Sequence, residues 1–334
     1  MARTSLREGD PARIGQYRLT ARLGSGGMGV VYLGVAPDGS LVAVKVLRPE
    51  LADDPEFRRR FSREVTVLMR VRGMCTVLVI EADTDSHRPY MVTEYADGPS
   101  LAEYIHEYGP LNDTMLYGLA TGLAEALTVI HAAGIVHRDL KPSNVILAQD
   151  GPKVIDFGIA QTLDATSVTK TGVLVGSMGF MAPEQVTGRP GPAADIFVWG
   201  VTIGYAAAGQ SPFGTGDTNA VLYRVLYADP DIAAVPDSLK PLVEAALAKD
   251  PQSRPAAHEL LDRLTSSPAP RPEPVVERLY DAPTQTVLAR TWQDTGPRAS
   301  QPRVSQLPAG PLPAGPLPAG PLPAGPLPAG PLPA

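Results

Sequence analysis

Residues 137–144 read HRDLKPSN and directly follow an apolar stretch with helical periodicity. In this octapeptide the Asp139 carboxylate can accept a proton or orient a hydroxyl, and the Lys141 ammonium can neutralise a transferring phosphoryl group. The side-chain oxygen of Asn144 suits a hard cation. Taken alone, the octapeptide is also typical of an ordinary polar turn, so its meaning depends on its neighbours.

A second polar cluster follows twelve residues after Asn144, where Asp156-Phe157-Gly158 comes directly after an apolar run. Its carboxylate is a second hard-cation ligand at the end of a predicted strand. A polar turn would again explain this triplet by itself. The two clusters in this order, behind the upstream motifs described next, favour phosphate chemistry over two unrelated turns.

A glycine-rich turn lies upstream, where residues 24–31 read GSGGMGVV and match G-x-G-x-x-G-x-V. Glycines let backbone amides approach phosphates closely. The same letters also fit an ordinary glycine hairpin or a dinucleotide-binding turn. Because the chain continues as a strand from Val30 to Val35, and a dinucleotide-binding turn opens a helix there, the dinucleotide interpretation is disfavoured.

The next predicted strand carries Lys45 among apolar residues. A lysine there is more often solvated, but this one follows a phosphate-type turn by one hairpin. In the following helix, Glu64 shares a face with Phe61 and Leu68, so its carboxylate could hold Lys45 towards the phosphates. The surrounding arginines leave a surface role for Glu64 as the alternative.

The apolar periodicity changes once along the chain and predicts two lobes. Up to Tyr95 it alternates among β-branched residues, which predicts strands interrupted by one helix between Pro55 and Arg72. Beyond Tyr95 leucines recur at helical spacing until Gly134, a residue suited to a helix C-terminus. We therefore expect an α+β fold whose lobes join at Glu94–Gly98 and enclose a ligand cleft.

Composition sets the limits of this interpretation. The chain has 334 residues and a net charge of −6, which disfavours nucleic acid as a partner. The single cysteine, Cys75, forms no internal disulfide and no zinc site, so a reducing cytoplasm is expected. The first residues lack the apolar core of a signal peptide, and the apolar run Ile196–Gly209 is too short to span a bilayer, so no membrane anchor is expected.

Half of the 36 prolines lie from Pro268 onward, where the chain ends in five Leu-Pro-Ala-Gly-Pro repeats that start at Leu307. Such a segment has no periodic apolar face to pack, so a disordered tail is predicted.

The ordered motifs resemble those of actinobacterial-type, eukaryotic-like Ser/Thr protein kinases over roughly Tyr17 to Leu264. The resemblance implies the two-lobed protein-kinase fold, with a small β-rich N-lobe and a larger helical C-lobe. The domains it implies are an N-terminal extension at 1–16, a kinase domain at 17–267 with lobes at about 17–95 and 96–267, and the Pro-rich tail at 268–334.

The resemblance also implies an enzyme that transfers the γ-phosphoryl group of ATP to Ser/Thr hydroxyls of proteins, with Mg²⁺ or Mn²⁺ as cofactor. In this family pattern Asp139 is the catalytic base, Lys141 assists it, Lys45 contacts the phosphates and pairs with Glu64, and Asn144 and Asp156 hold the metal. ATP would be covered by residues of the glycine-rich turn, the next strand and the lobe connection: Leu23, Gly24, Ser25, Gly26, Gly27, Met28, Gly29, Val31, Ala43, Lys45, Glu94 and Ala96.

Further expectations concern residues that surround this site. Glu184, in Ala-Pro-Glu, resembles the carboxylate that pairs with a later arginine, here Arg254, and Asp195 resembles the aspartate that braces the catalytic loop. Thr93 would guard a pocket behind the adenine. The loop at residues 72–76 departs from the family because it lacks the usual His-Pro pair, and Ser177 stands where a threonine is usual.

Regulatory sites are expected in two places. Arg138 precedes the catalytic aspartate and could bind a phosphate placed by autophosphorylation on Thr169 or Thr171. In the tail, Thr284 with an aliphatic residue three positions later resembles a site for a forkhead-associated-domain partner. The alternatives left open are a kinase-shaped scaffold with little catalysis and a small-molecule kinase.

Overall fold

The computed structural model describes residues 3–156, 178–188 and 190–266. The first lobe is a six-stranded antiparallel sheet in the order β1-β2-β3-β4-β6-β5, with two helices after β4. Its elements are β1 (Arg13–Ile14), β2 (Tyr17–Ser25), β3 (Gly29–Val35), β4 (Leu41–Leu47), α1 (Pro49–Ala52), α2 (Pro55–Leu68), β5 (Val79–Asp83) and β6 (Tyr90–Glu94).

Helix α2 begins where the Asp54 carboxylate accepts hydrogen bonds from two backbone amides of the first turn, with Pro55 at the first helical position. It buries Phe57, Phe61, Val65 and Leu68. It ends at Leu68, before the expected Arg72, and a turn at residues 69–70 follows, in which the Val71 amide donates to the Leu68 carbonyl at 3.0 Å.

Over the residues that the structure describes, the second lobe is helical apart from one hairpin. It contains α3 (Leu101–Tyr108), α4 (Asp113–Ala132), β7 (Val145–Ala148), β8 (Gly151–Val154), α5 (Pro183–Thr187), α6 (Pro192–Ala208), α7 (Thr218–Tyr227), α8 (Lys240–Ala246) and α9 (Ala257–Ser266). Its centre is the contact of α4 with α6, where the buried Trp199 donates its indole N–H to the Ala120 carbonyl at 3.0 Å. The expected α+β architecture, a β-rich lobe followed by a helical lobe, is confirmed.

Helix α4, rather than the apolar run Ile196–Gly209, is long and apolar enough to cross a membrane by length and composition. In the structure, 78% of its most apolar window is buried inside the lobe. The core helix of a folded domain meets the same length and composition criteria, so α4 by itself is weak evidence for a membrane span.

The loop at residues 72–76, where the usual His-Pro pair is absent, is anchored by charged side chains of the second lobe. The Glu125 carboxylate of α4 accepts hydrogen bonds from the backbone amides of Met74 and Cys75, both at 3.0 Å. Lys153 donates to the Met74 carbonyl at 2.7 Å. Burial raises the pKa of Glu125, while the backbone donors act in the opposite direction.

Candidate active site

A cleft of about 530 Å³ lies between the lobes. A Cβ added to Gly24, Gly26 or Gly27 would meet no atom within 4 Å, so the tip of the glycine-rich turn leaves open space for a ligand. Gly29 is different, because a Cβ there would clash with the Val46 carbonyl oxygen on β4. The cleft lining includes every residue expected to cover ATP: Leu23, Gly24, Ser25, Gly26, Gly27, Met28, Gly29, Val31, Ala43, Lys45, Glu94 and Ala96.

Other cleft residues were missed because their pattern is that of ordinary core residues. Ile146 and Ile155 come from the second lobe, while Val77 and Met91 come from the first. An apolar residue in a strand gives no sequence signal that distinguishes a cleft wall from the core. Thr93 also lines the cleft, and its hydroxyl donates to the Glu94 carbonyl at 3.2 Å.

The side chains of Asp139, Lys141 and Asn144 form one hydrogen-bonded group in the cleft. Lys141 Nζ lies 2.8 Å from Asp139 Oδ2, and the Asn144 amide donates to the same oxygen at 3.0 Å and to the Asp139 carbonyl at 2.8 Å. These contacts fix the orientation of a carboxylate that stays partly open to solvent. Such a group can accept a proton from a hydroxyl placed beside it.

Asp195, at the start of α6, holds the backbone of this loop as expected. Its two carboxylate oxygens accept from the amides of His137 and Arg138, each at 2.8 Å, and His131 Nε2 lies 2.8 Å from Oδ2. Arg138 has a φ of +64°, a left-handed conformation that non-glycine residues rarely adopt. The buried Asp195 therefore holds the catalytic loop in a conformation that the chain would otherwise disfavour.

Among the described residues, Lys45 forms its ion pair with Asp156, so its pairing with Glu64 stays a prediction. Lys45 Nζ lies 2.7 Å from Asp156 Oδ1, whereas Glu64 is half-buried on α2 and does not line the cleft. Asp156, with a φ of +54°, brings its carboxylate to the ammonium instead.

The expected pair of Glu184 and Arg254 forms away from the cleft. Two guanidinium nitrogens bind the two carboxylate oxygens, at 2.6 Å and 3.0 Å. Arg254 also donates to three backbone carbonyls and lies over the Phe197 ring, with 4.8 Å from Cζ to the ring centroid. This pair joins α5 to the segment between α8 and α9.

Residues 17–264 match the model of the protein kinase domain. The chain belongs to the protein kinase family. It is 47% identical over 262 residues to a probable serine/threonine-protein kinase, PkwA, of Thermomonospora curvata, covering 78% of this chain and 35% of the relative. It is 44% identical over 258 residues to the serine/threonine-protein kinase AfsK of Streptomyces griseus, covering 75% of this chain and 31% of that one.

Solved kinase domains have the same fold. The kinase domain of Mycobacterium tuberculosis PknI matches with a TM-score of 0.59 and 28% identity, covering 78% of this chain and 99% of that domain. The chain thus spans a whole kinase domain but only about a third of the length of PkwA and of AfsK.

The donor set of the cleft fits the magnesium that kinases use with ATP. Asn144 donates its side-chain N–H groups to Asp139, so its side-chain oxygen can bind a cation. In Asp156, Lys45 binds Oδ1, which leaves Oδ2 as the second possible cation ligand. Both are hard oxygen ligands, and both residues line the cleft. Over residues 3–156, 178–188 and 190–266, no group of three or more His, Cys, Asp or Glu side chains forms a metal cluster.

Several expected sites lie outside the described residues. They include Phe157 and Gly158, the hydroxyl of Ser177, the regulatory candidates Thr169 and Thr171, and Thr284 in the tail.

Proposed function

We propose that this chain transfers the γ-phosphoryl group of ATP to serine and threonine hydroxyls of proteins. One observation carries the proposal: Lys45, Asp139, Lys141, Asn144 and Asp156, the groups that phosphoryl transfer needs, line one cleft together with a glycine-rich turn. A kinase-shaped scaffold would have no need to keep all five. Lys141-Pro142 after Asp139 favours the Ser/Thr branch of the family over the Tyr branch.

Each group has a role that its surroundings support. Asp139 orients the substrate hydroxyl and takes its proton as the oxygen attacks the γ-phosphorus and the bond to the β-phosphate oxygen breaks. Lys141, which lies 2.8 Å from Asp139 Oδ2, balances the charge that develops on the phosphoryl oxygens. Lys45 binds the α- and β-phosphates, and Thr93, Glu94 and Ala96 line the adenine end.

Asn144 and Asp156 would hold Mg²⁺, or Mn²⁺, which neutralises phosphate charge when bound. These residues supply amide and carboxylate oxygens on one side of the cleft.

We further propose that the kinase is activated by autophosphorylation on Thr169 or Thr171. Among the described residues, no group accepts a hydrogen bond from the buried Nε of Arg138. A guanidinium in that position is suited to bind a phosphate. Mass spectrometry of the recombinant protein should find these threonines modified in the wild type and unmodified in Asp139→Asn, and equal modification in both would assign the phosphate to another kinase.

The partners that we propose are cytoplasmic proteins with exposed Ser/Thr residues. A forkhead-associated-domain protein could bind Thr284 once that residue is phosphorylated, because an aliphatic residue follows at the required spacing.

Transfer of labelled γ-phosphoryl to a generic protein substrate tests the activity. The wild type should yield phosphoserine and phosphothreonine, and Asp139→Asn should be slower by a factor on the order of 10². Nucleotide binding without transfer would favour the scaffold, and transfer to small alcohols but not to protein would favour the small-molecule kinase.

A further inference from the structure

Residues 3–14 pack along the first lobe. Thr4 and Arg22 exchange two backbone hydrogen bonds, at 2.8 Å and 3.0 Å, which adds a short bridge at the cleft end of β2. At the other end of the segment, Ile14 is buried in the sheet core. The segment thus contacts β2 one residue before Leu23 and two before Gly24, both of which line the cleft.

The segment is held by a buried carboxylate. Asp10, whose side chain is 4% exposed, accepts from Arg22 Nε at 2.6 Å, from the Tyr32 hydroxyl at 2.8 Å and from the Arg7 backbone amide at 2.7 Å. The Arg22 hydrogen bonds are the main cause that holds the pKa of Asp10 well below its usual range. Because Arg22 and Tyr32 lie on β2 and β3, Asp10 ties the segment to both strands of the glycine-rich hairpin.

The start of the segment reaches the connection between the lobes. Arg3 Nη2 lies 3.0 Å from the Tyr95 hydroxyl and 3.0 Å from Asp97 Oδ1, and its guanidinium lies 5.2 Å from the centroid of the Tyr95 ring. Tyr95 lines the cleft beside Glu94 and Ala96. Residues 3–10 of this segment therefore contact both the glycine-rich hairpin and the connection between the lobes.

We propose that Asp10 and Arg3 are positioning residues for nucleotide binding: they tie the glycine-rich hairpin to the lobe connection and hold the two walls of the adenine site at binding distance. The inference rests on the proposed ATP-dependent function. Holding both walls in place before the ligand arrives reduces the ordering cost of binding. Releasing the segment should therefore weaken nucleotide binding without changing the groups that perform the transfer.

The test measures the dissociation constant for ATP with Mg²⁺, KM for ATP and kcat in the full chain. Asp10→Ala should raise the dissociation constant and KM about fivefold, the lower end of typical coupling between sites. Arg3→Ala, which changes only exposed contacts, should raise both by about twofold at most because exposed ion pairs are weak. In both variants kcat at saturating ATP should stay near the wild-type value. Arg7→Ala is the matched control, since it removes an exposed arginine side chain from the same segment and keeps the backbone amide.

An unchanged dissociation constant in Asp10→Ala, with only a lower melting temperature, would overturn the inference and leave the segment a purely structural element. Equal weakening in Arg7→Ala would overturn it as well, because a general charge effect would then explain the result. Arg3→Ala removes only exposed contacts, so its melting temperature should stay near that of the wild type. A rise in KM for ATP in Arg3→Ala that disappears when Asp97→Ala is already present would support the contact between the segment and the lobe connection. Absence of ATP binding by the wild type would instead contradict the proposed function. That result differs from unchanged ATP binding in Asp10→Ala, which contradicts only the role of the segment.

Discussion

Two ion pairs in this protein differ in burial and in the number of hydrogen bonds that they make. Arg254 is fully buried, its partner Glu184 is 14% exposed, and the guanidinium binds both carboxylate oxygens and three carbonyls. Lys45 and Asp156 form a single 2.7 Å contact at the edge of the cleft, where the Asp156 side chain is 39% exposed. In the first pair, every N–H group of Arg254 donates to an oxygen of the protein. In the second pair, the Asp156 carboxylate is partly exposed, so a ligand can reach its oxygens.

This difference in burial indicates a structural role for the Glu184–Arg254 pair and a ligand-binding role for the Lys45–Asp156 pair. A buried, fully bonded pair cannot exchange partners without leaving a charge uncompensated, so it is suited to fixing the position of α5. A partly exposed pair can exchange a partner at little cost, so it is suited to receiving phosphates and a metal ion. Variants of the two pairs should accordingly affect different measurements.

The largest effect is expected at the buried pair. Arg254→Met removes a buried charge and leaves the Glu184 carboxylate unpaired, so the free energy of unfolding should fall by about 3–5 kcal/mol. Denaturant unfolding of this variant beside Arg18→Met, a matched change of an exposed arginine, measures it. A loss below 1 kcal/mol in Arg254→Met, or an equal loss in both variants, would contradict a structural role for the pair.

The cleft pair should respond in activity. Lys45→Met removes an electrostatic group placed for the phosphates, so phosphoryl transfer should fall by a factor on the order of 10² or more, while the melting temperature stays close to that of the wild type. Lys240→Met, which changes a lysine that does not line the cleft, should keep full transfer. Near-normal transfer by Lys45→Met would show that the ammonium has no role in the chemistry.

A smaller effect is expected at the loop that follows α2. Glu125→Ala leaves the buried amides of Met74 and Cys75 without their acceptor, which should lower the free energy of unfolding by about 1–3 kcal/mol. Glu244→Ala, an exposed glutamate on α8, is the control and should change little. Equal stability of the two variants would mean that other contacts hold this loop.

The smallest effect is a pH dependence at Asp10. Its pKa is lowered in the folded state from an ordinary value of 3.8, so the carboxylate adds stability above that value and loses it as pH falls towards the folded pKa. The stability difference between wild type and Asp10→Asn should therefore be constant near neutral pH and shrink below about pH 4. A difference that stays constant down to pH 3 would contradict this assignment.

Most of the fold and of the residues around the cleft could be predicted from the sequence, because they depend on motifs that can be identified in the sequence. The chemistry of the octapeptide at 137–144 follows from its residue types, whereas the pairing of Glu184 with Arg254 and the brace at Asp195 follow from the resemblance to the kinase family. What the sequence could not provide were contacts that depend on packing between distant elements. Those are the partner of Lys45, the anchoring of the 72–76 loop by Glu125, and the bridge between Thr4 and Arg22.

Mg²⁺ dependence of ATP affinity tests most directly whether Asp156 can leave Lys45 and serve a metal-bound nucleotide. Calorimetric titration with ATP, with and without Mg²⁺, should show tighter binding with Mg²⁺ in the wild type. In Asp156→Asn that gain should be largely lost, while affinity without the metal changes little. The same Mg²⁺ dependence in both proteins would contradict the exchange and leave the Lys45–Asp156 pair a structural contact like that of Glu184 and Arg254.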